Sequence, residues 1–202
     1  KKDNPFPAVC GRVCNKRCEE ACTRATLDEA VAIDDVKRFI AQKDLDSKTR
    51  YIPKKVIPSN RGEFKNKIAI IGGGPAGLSC AYYLALTGYR PIVFEKNEKP
   101  GGMLTYGIPS YKLEKDVVEA EIDIIRALGV EIKCGVEVGK DITLDELRKD
   151  GYEAFYIAIG CQGSRKSGVD GEDADGVKSA VDILHEIAEN HDLDLKGNKT
   201  VV

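Results

Sequence analysis

The segment Lys67–Glu95 reads K-I-A-I-I-G-G-G-P-A-G-L-S-C-A-Y-Y-L-A-L-T-G-Y-R-P-I-V-F-E, and its order of residue types decides the fold. Ile68 to Ile71 make an apolar run short enough for a buried strand. Gly72, Gly74 and Gly77 follow in G-x-G-x-x-G spacing. Pro75 suits a first helical turn, where its missing N–H would be unpaired anyway. Leu78, Ala81, Tyr82 and Ala85 lie on one helical face, and Gly88 ends that helix. Pro91 to Phe94 reads as a second strand, closed by the acid Glu95. Gly72 allows the tight turn, Gly74 lets a pyrophosphate approach the backbone, and Gly77 lets helix and strand pack closely. The helix dipole favours the phosphates. Glu95 stands where a carboxylate accepts hydrogen bonds from ribose hydroxyls. The segment reads as an adenine dinucleotide site.

The 202 residues carry 31 basic and 33 acidic side chains, a formal net charge of −2. That balance offers no attraction for nucleic acid or an acidic membrane surface. Hydrophobic residues make up 42% and charged ones 32%, proportions expected of a soluble globular protein. No apolar run approaches the ~20 residues needed to cross a bilayer, and no secretory signal is visible. A cytoplasmic location, with no nucleic-acid or membrane partner, is the expectation.

Cys10, Cys14, Cys18 and Cys22 recur every fourth residue. In one straight helix the first and last would stand ~18 Å apart, too far for one centre. Either the segment bends, at Gly11 and Asn15, or the cysteines serve more than one centre. Thiolate clusters in a cytosolic chain suggest iron–sulfur or zinc before disulfides. The paired C-x-x-C of zinc ribbons is absent, which favours iron–sulfur. One or two disulfides, or idle thiols, are the plainer alternative. Cys80, Cys134 and Cys161 sit in apolar segments and read as buried small hydrophobes.

Residues 26–43 read as an amphipathic helix capped by Thr26 or Asp28, with Ala30, Ile33, Val36, Phe39 and Ile40 on its apolar face. Residues 44–59, with Pro53 and Pro58, read as a polar linker. After Glu95, Gly101 and Gly102 again permit close backbone approach. Met103 to Pro109 is apolar but broken by glycine and proline, a loop suited to a flat ring rather than a helix or strand. Lys115 to Leu128 reads as a helix ended by Gly129. Val130 to Cys134 is a short strand, and Val136 to Val138 a further candidate. Thr143 and Glu146 form a capping box. Ala154 to Ile159 reads as a buried parallel strand ending at Gly160. Ser179 to Asn190 is a last helix, with Val181, Leu184 and Ile187 inward. His185 and His191 read as solvated surface histidines, and no hydrolytic triad can be assembled. Lys199 to Val202 begins a further strand.

These motifs together resemble the small (beta) subunit of NADPH-dependent glutamate synthase and its relatives, among them the N-terminal half of dihydropyrimidine dehydrogenase. The resemblance rests on P-A-V-C-G-R-V-C with Cys18 and Cys22, on I-A-I-I-G-G-G-P-A-G-L-S, on V-F-E-K, and on G-G-M-L-T-Y-G-I-P-S-Y-K-L. It continues through A-I-G at 158–160 and G-E-D-A-D-G-V at 171–177. It implies an α/β chain: a Rossmann-like FAD-binding domain, a parallel sheet with helices on both faces, preceded by a small α-helical cysteine-rich domain. The implied boundaries are 1–46 for the cysteine-rich segment, 47–65 for a linker, 66–196 for the FAD-binding domain and 197–202 for the start of a missing NAD(P)H-binding domain. The implied chemistry is electron flow from NAD(P)H through FAD to [4Fe-4S] clusters and an electron-accepting catalytic subunit. By position, Gly72, Gly74, Pro75, Ala76 and Gly77 would cradle the pyrophosphate and Glu95 the ribose. Gly102, Met103, Leu104 and Lys112 would lie along the flavin, Val138 near the adenine, and Gly160 in the cleft. Cys10, Cys14, Cys18 and Cys22 would be cluster ligands.

The chain departs from that family's pattern in three places. Further cysteines lie upstream in the family. Lys37 stands where the family places a Glu or Gln ligand, and a protonated lysine cannot ligate. The sequence stops at N-K-T-V-V, where the second dinucleotide unit would open. The reading is therefore of a fragment truncated at both ends. Two other readings remain open: a non-catalytic module that docks a partner redox subunit, and a first unit that binds NAD rather than FAD.

Overall fold

The computed structural model describes residues 1–57 and 62–190. The expectations for His191 and for the strand from Lys199 lie outside these residues. In chain order the elements are α1 (Pro7–Val13), α2 (Arg17–Glu20), a 3₁₀ turn (Thr23–Thr26), α3 (Ile33–Leu45), β1 (Lys67–Ile71), α4 (Pro75–Leu86) and β2 (Arg90–Glu95). There follow α5 (Met103–Tyr106), α6 (Lys115–Ala127), β3 (Glu131–Cys134), α7 (Leu144–Lys149), β4 (Tyr152–Ile157) and α8 (Ala180–Asn190).

The four strands are parallel, in the order β3-β2-β1-β4. Successive side chains of a strand face opposite ways, and the two faces build two cores. Ile70 and Val93 pack with Leu78, Ala81, Ile122 and Ile125 of α4 and α6. Ala69 and Phe94 pack with Leu147 of α7 and with Tyr152. Helices therefore cover both faces, the architecture expected when strands and helices alternate. Local signals set the ends. Pro75 opens α4, and Gly88 (φ +93°) follows it. The capping box forms as read: Thr143 Oγ1 accepts from Glu146 N at 3.2 Å and Glu146 Oε2 accepts from Thr143 N at 2.8 Å. No helix of the described residues is long and apolar enough to cross a membrane.

Several expectations are corrected. The cysteine segment breaks at Lys16, which adopts left-handed dihedrals (φ 56°) between α1 and α2. Gly11 stays helical and buried, because a Cβ there would stand 2.8 Å from the Arg38 Cα. That close crossing decides which face of α3 turns inward. Asp34, Ala41 and Leu45 are buried, while Val36, Phe39 and Ile40 are 51–62% exposed. The apolar face read from periodicity is the outer one. The helix also starts at Ile33 rather than at residue 26: the Thr26 hydroxyl donates to the Thr23 carbonyl inside the 3₁₀ turn instead of capping a helix. β4 is parallel but not buried, because among the described residues only β1 lies beside it; Tyr156 and Ile157 are exposed. Met103–Tyr106 forms one helical turn, and residues 136–138 contribute only an isolated bridge, Val138 to Ile142.

Candidate functional site

β1 lies between β2 and β4, so the chain leaves its carboxyl end beside the end of a strand reached from the opposite direction. Open parallel sheets bind ligands at such a switch of strand order. A cleft of about 530 Å³ lies there, walled by the turn after β1, by Glu95, and by residues 158–163 after β4.

The three glycines of the turn do different work. Gly72 has φ +106°, and a Cβ on it would stand 2.3 Å from the Ala158 carbonyl oxygen. Gly77 seats α4 on the turn, since a Cβ there would stand 2.0 Å from the Gly72 carbonyl oxygen. Both are needed by the protein itself. Gly74 is not: its dihedrals (φ −75°, ψ −179°) suit any residue, and its nearest neighbour in that direction is the Gly102 Cα at 4.0 Å. Its bare face opens on the cleft. The first N–H groups of α4 have no intrahelical partner and point the same way.

A second glycine pair braces the turn. Gly101 N donates to the Gly73 carbonyl at 2.7 Å, and Gly102 (φ 54°) has no room for a Cβ, which would stand 2.9 Å from the Gly74 Cα. Glu95 is 5% exposed. One of its oxygens accepts from Gly73 N at 2.7 Å and the other from Asn97 N at 2.9 Å. These bonds fix the carboxylate at the cleft, and each oxygen keeps a further lone pair for a ligand hydroxyl.

Of the residues expected to serve the cofactor, Gly72, Gly74, Pro75, Ala76, Glu95, Gly102, Met103, Val138 and Gly160 line the cleft. Gly77 lies behind it, Leu104 is buried in the core, and Lys112 is on the surface. The structure adds Lys96, Cys161 and Gln162 to the wall. The last two directly follow Gly160, and their position after a strand's carboxyl end was the available signal. Cys161 is exposed, contrary to its reading as a buried hydrophobe. Cys80 and Cys134 are half-buried, and burial pushes both thiols up from their ordinary pKa. A larger cavity, about 920 Å³, lies between residues 49–56 and the carboxyl end of α4. It has neither glycine turn nor buried acid.

Two side chains outside the cleft hold the segment around Met103, which lines it. Lys115 donates to the carbonyls of Leu104 (2.9 Å) and Ile108, and burial lowers its pKa. Tyr106 accepts from Lys99 N at 3.0 Å and stacks on His185 with ring centroids 4.7 Å apart. His185 is thus a packed residue rather than a solvated one.

The cysteine segment is less gathered. Cys10 accepts from Asn4 Nδ2 at 3.5 Å; Cys14 lies 3.9 Å from Lys37 Nζ, which pairs with the buried Asp34 carboxylate at 2.9 Å. Main-chain N–H groups, that of Val31 first, hold the Cys22 thiol below its ordinary pKa. Cys18 is exposed. Among the described residues no three of His, Cys, Asp and Glu come close enough to hold a metal ion together.

Comparison with known proteins bears on both regions. Residues 1–49 match the family described as dihydropyrimidine dehydrogenase domain II, 4Fe-4S cluster, and residues 70–125 match the NAD(P)-binding Rossmann-like domain. The glutamate synthase [NADPH] small chain of Escherichia coli is 40% identical over 90% of this chain and 38% of its own length. The NADP(+)-dependent formate dehydrogenase subunit beta of Moorella thermoacetica is 44% identical over 82% of this chain and 26% of its own. The NADPH-Fe(3+) oxidoreductase subunit beta of Geobacter sulfurreducens is 39% identical over 92% of this chain and 28% of its own. The chain thus spans between about a quarter and two-fifths of these relatives' length. In fold it is similar to Mycobacterium tuberculosis FprA in complex with NADPH, with TM-score 0.55 and 23% identity over 62% of this chain and 29% of that one. It is also similar to 2-naphthoyl-CoA reductase, with TM-score 0.51 and 28% identity over 66% of this chain and 19% of that one.

Proposed function

We propose that this chain, which is similar to the glutamate synthase [NADPH] small chains of Escherichia coli and Bacillus subtilis over 90–91% of its own length and 36–38% of theirs, is the FAD-binding part of an NAD(P)H-dependent iron–sulfur oxidoreductase. Electrons would pass from NAD(P)H, held by residues other than these, through FAD to iron–sulfur centres and a partner subunit. A cytoplasmic location belongs to the same reading. Bound FAD supplies the hydride acceptor, and the protein supplies position and electrostatics.

The observation that carries the reading is the bare main chain at Gly74, open to the cleft beside the buried Glu95. Gly72, Gly74, Pro75, Ala76 and Gly77 bring the pyrophosphate onto the start of α4. Glu95 accepts from the ribose hydroxyls, and its carboxylate repels a 2′-phosphate, which argues against NADP in this unit. Gly102 and Met103 face the flavin side, Val138 the adenine, and Gly160 the opposite wall. Leu104 supports that loop from the core, and Lys112 stands at its outer edge. Cys10, Cys14, Cys18 and Cys22 would be ligands of iron–sulfur clusters, and no electron-transfer step is assigned to them.

The test is to purify the full-length protein, release its cofactor by heat and identify it. Fluorescent FAD at about one per chain supports the reading. NAD in its place, or no nucleotide, overturns it. The exposed apolar face of α3, with Val36, Phe39 and Ile40, favours a second reading as a docking module. A colourless protein that still binds a partner subunit would support that alternative.

A further inference from the structure

Glu121 is fully buried, and the flavin-side cleft does not use it. Its two carboxylate oxygens accept from Ala8 N at 2.8 Å and from Val9 N at 3.0 Å. These are first-turn amides of α1, which lack intrahelical partners. A carboxylate placed there satisfies two donors and meets the positive end of the helix. Seven residues earlier, Glu114, which precedes the first residue of α6, accepts from Arg12 Nε at 2.6 Å. Arg12 lies on α1 between Cys10 and Cys14. Two anchors seven residues apart are separated by ~10 Å along a helix. They fix the direction of α1 as well as its position. Ala8 of α1 and Val117 of α6 pack together with Ala41 and Leu45 of α3.

The next residue after Glu114 reaches the other way. Lys115 ties down the carbonyls of Leu104 and Ile108, in the segment that directly follows Met103, which lines the cleft. Val118, one turn on, packs in the same core as Leu104 and Leu113. The first two turns of α6 thus hold the cysteine-bearing helix on one side and the flavin-side loop on the other.

We infer that α6 is the strut that sets where Cys10 and Cys14 stand relative to the flavin-side loop, with Glu121 and Lys115 as its positioning residues. The inference rests on the FAD reading for what the loop contacts, but its mechanical half does not. Ordering the loop from the flavin side orders α1 through α6, and the effect is reciprocal.

The test follows amide hydrogen exchange in the full-length protein, with and without FAD, in wild type, Glu121→Ala, Glu121→Gln, Lys115→Met and Lys115→Arg. In flavin-free protein, Glu121→Ala speeds exchange at Ala8 and Val9 by about tenfold or more and leaves β1 and β2 unchanged. Glu121→Gln, which keeps one acceptor, falls between. Adding FAD slows exchange at Ala8 and Val9 in wild type. Lys115→Met abolishes that slowing, and Lys115→Arg restores it. If Ala8 and Val9 stay fully protected in Glu121→Ala, the anchor is wrong. If FAD protects them equally in Lys115→Met, α6 does not carry the position. If wild type binds no FAD, the reading of the cleft fails, and the flavin-free Glu121 series still decides the anchor.

Discussion

At residues 72–77 the chain makes its site out of main chain, while at residues 10–22 the atoms that matter are side-chain sulfurs. The difference governs how complete each region is on its own. The glycine turn is held by the sheet that creates it: Gly72 N donates to the Phe94 carbonyl, Gly73 N to Glu95, and Gly101 N to Gly73. A ligand finds donors and an empty face already in place. Cys10 stands on α1 with Cys14 just past its end, Cys18 stands on α2 with Cys22 just before the 3₁₀ turn, and a break at Lys16 separates the first pair from the second. Among the described residues the sulfurs are not gathered with other ligating side chains into a group of three. A site of backbone is finished when the fold is finished, whereas a site of side chains needs every segment that contributes to it.

The comparison breaks first if the structural glycines prove dispensable. Gly72→Val and Gly77→Val each place a side chain against main chain, and Gly72 at a positive φ. Each should destabilise by on the order of 3 kcal/mol or more, read by chemical denaturation. A loss near zero would mean that the turn is not rigid.

The cysteine side sharpens with iron analysis of the full-length protein. Cys10→Ser and Cys14→Ser should each lower bound iron and sulfide by about half or more, while Cys80→Ala, on α4, should leave both unchanged. Equal loss from Cys80→Ala would show that the four early cysteines are not the ligands.

A smaller effect tests the joint between the two regions. Burial pushes the Glu121 carboxyl up to about 7, and the N–H groups of Ala8 and Val9 pull against that rise. The folded protein therefore holds a proton that the unfolded chain releases between about pH 4.5 and 7. This contribution lowers stability as pH rises through that window, by roughly 3 kcal/mol at most. Glu121→Gln should flatten that slope. An unchanged slope would place the titration elsewhere.

The smallest change concerns a feature far from either site. Thr143→Ala removes the hydroxyl half of the capping box and leaves the bond from residue 143 N to Glu146; it should cost about 1 kcal/mol in thermal or chemical denaturation, with no effect on flavin.

What was legible in the sequence follows the same division. The turn, its helix and Glu95 could be read because each rests on neighbours a few residues away. Thr143 and Glu146 were equally local. The inner face of α3 was not legible: periodicity marked Val36, Phe39 and Ile40, but the crossing of Gly11 over Arg38 turned another face inward. β4 looked buried because its residues are apolar, and strand order among the described residues, not composition, leaves it at an edge. Glu121 read as one more acid on a charged helix. Only the fold brings it to Ala8 and Val9, more than a hundred residues earlier in the chain.

The central claim is that the open main chain at Gly74 receives the pyrophosphate of FAD. The most direct measurement is flavin content and thermal stability of full-length Gly74→Leu beside wild type. A Cβ at residue 74 meets nothing closer than the Gly102 Cα at 4.0 Å and the position borders the open cleft, so the melting temperature should stay within a few degrees while bound flavin falls below about a tenth of wild type. A stable Gly74→Leu protein that keeps its full flavin would contradict the account.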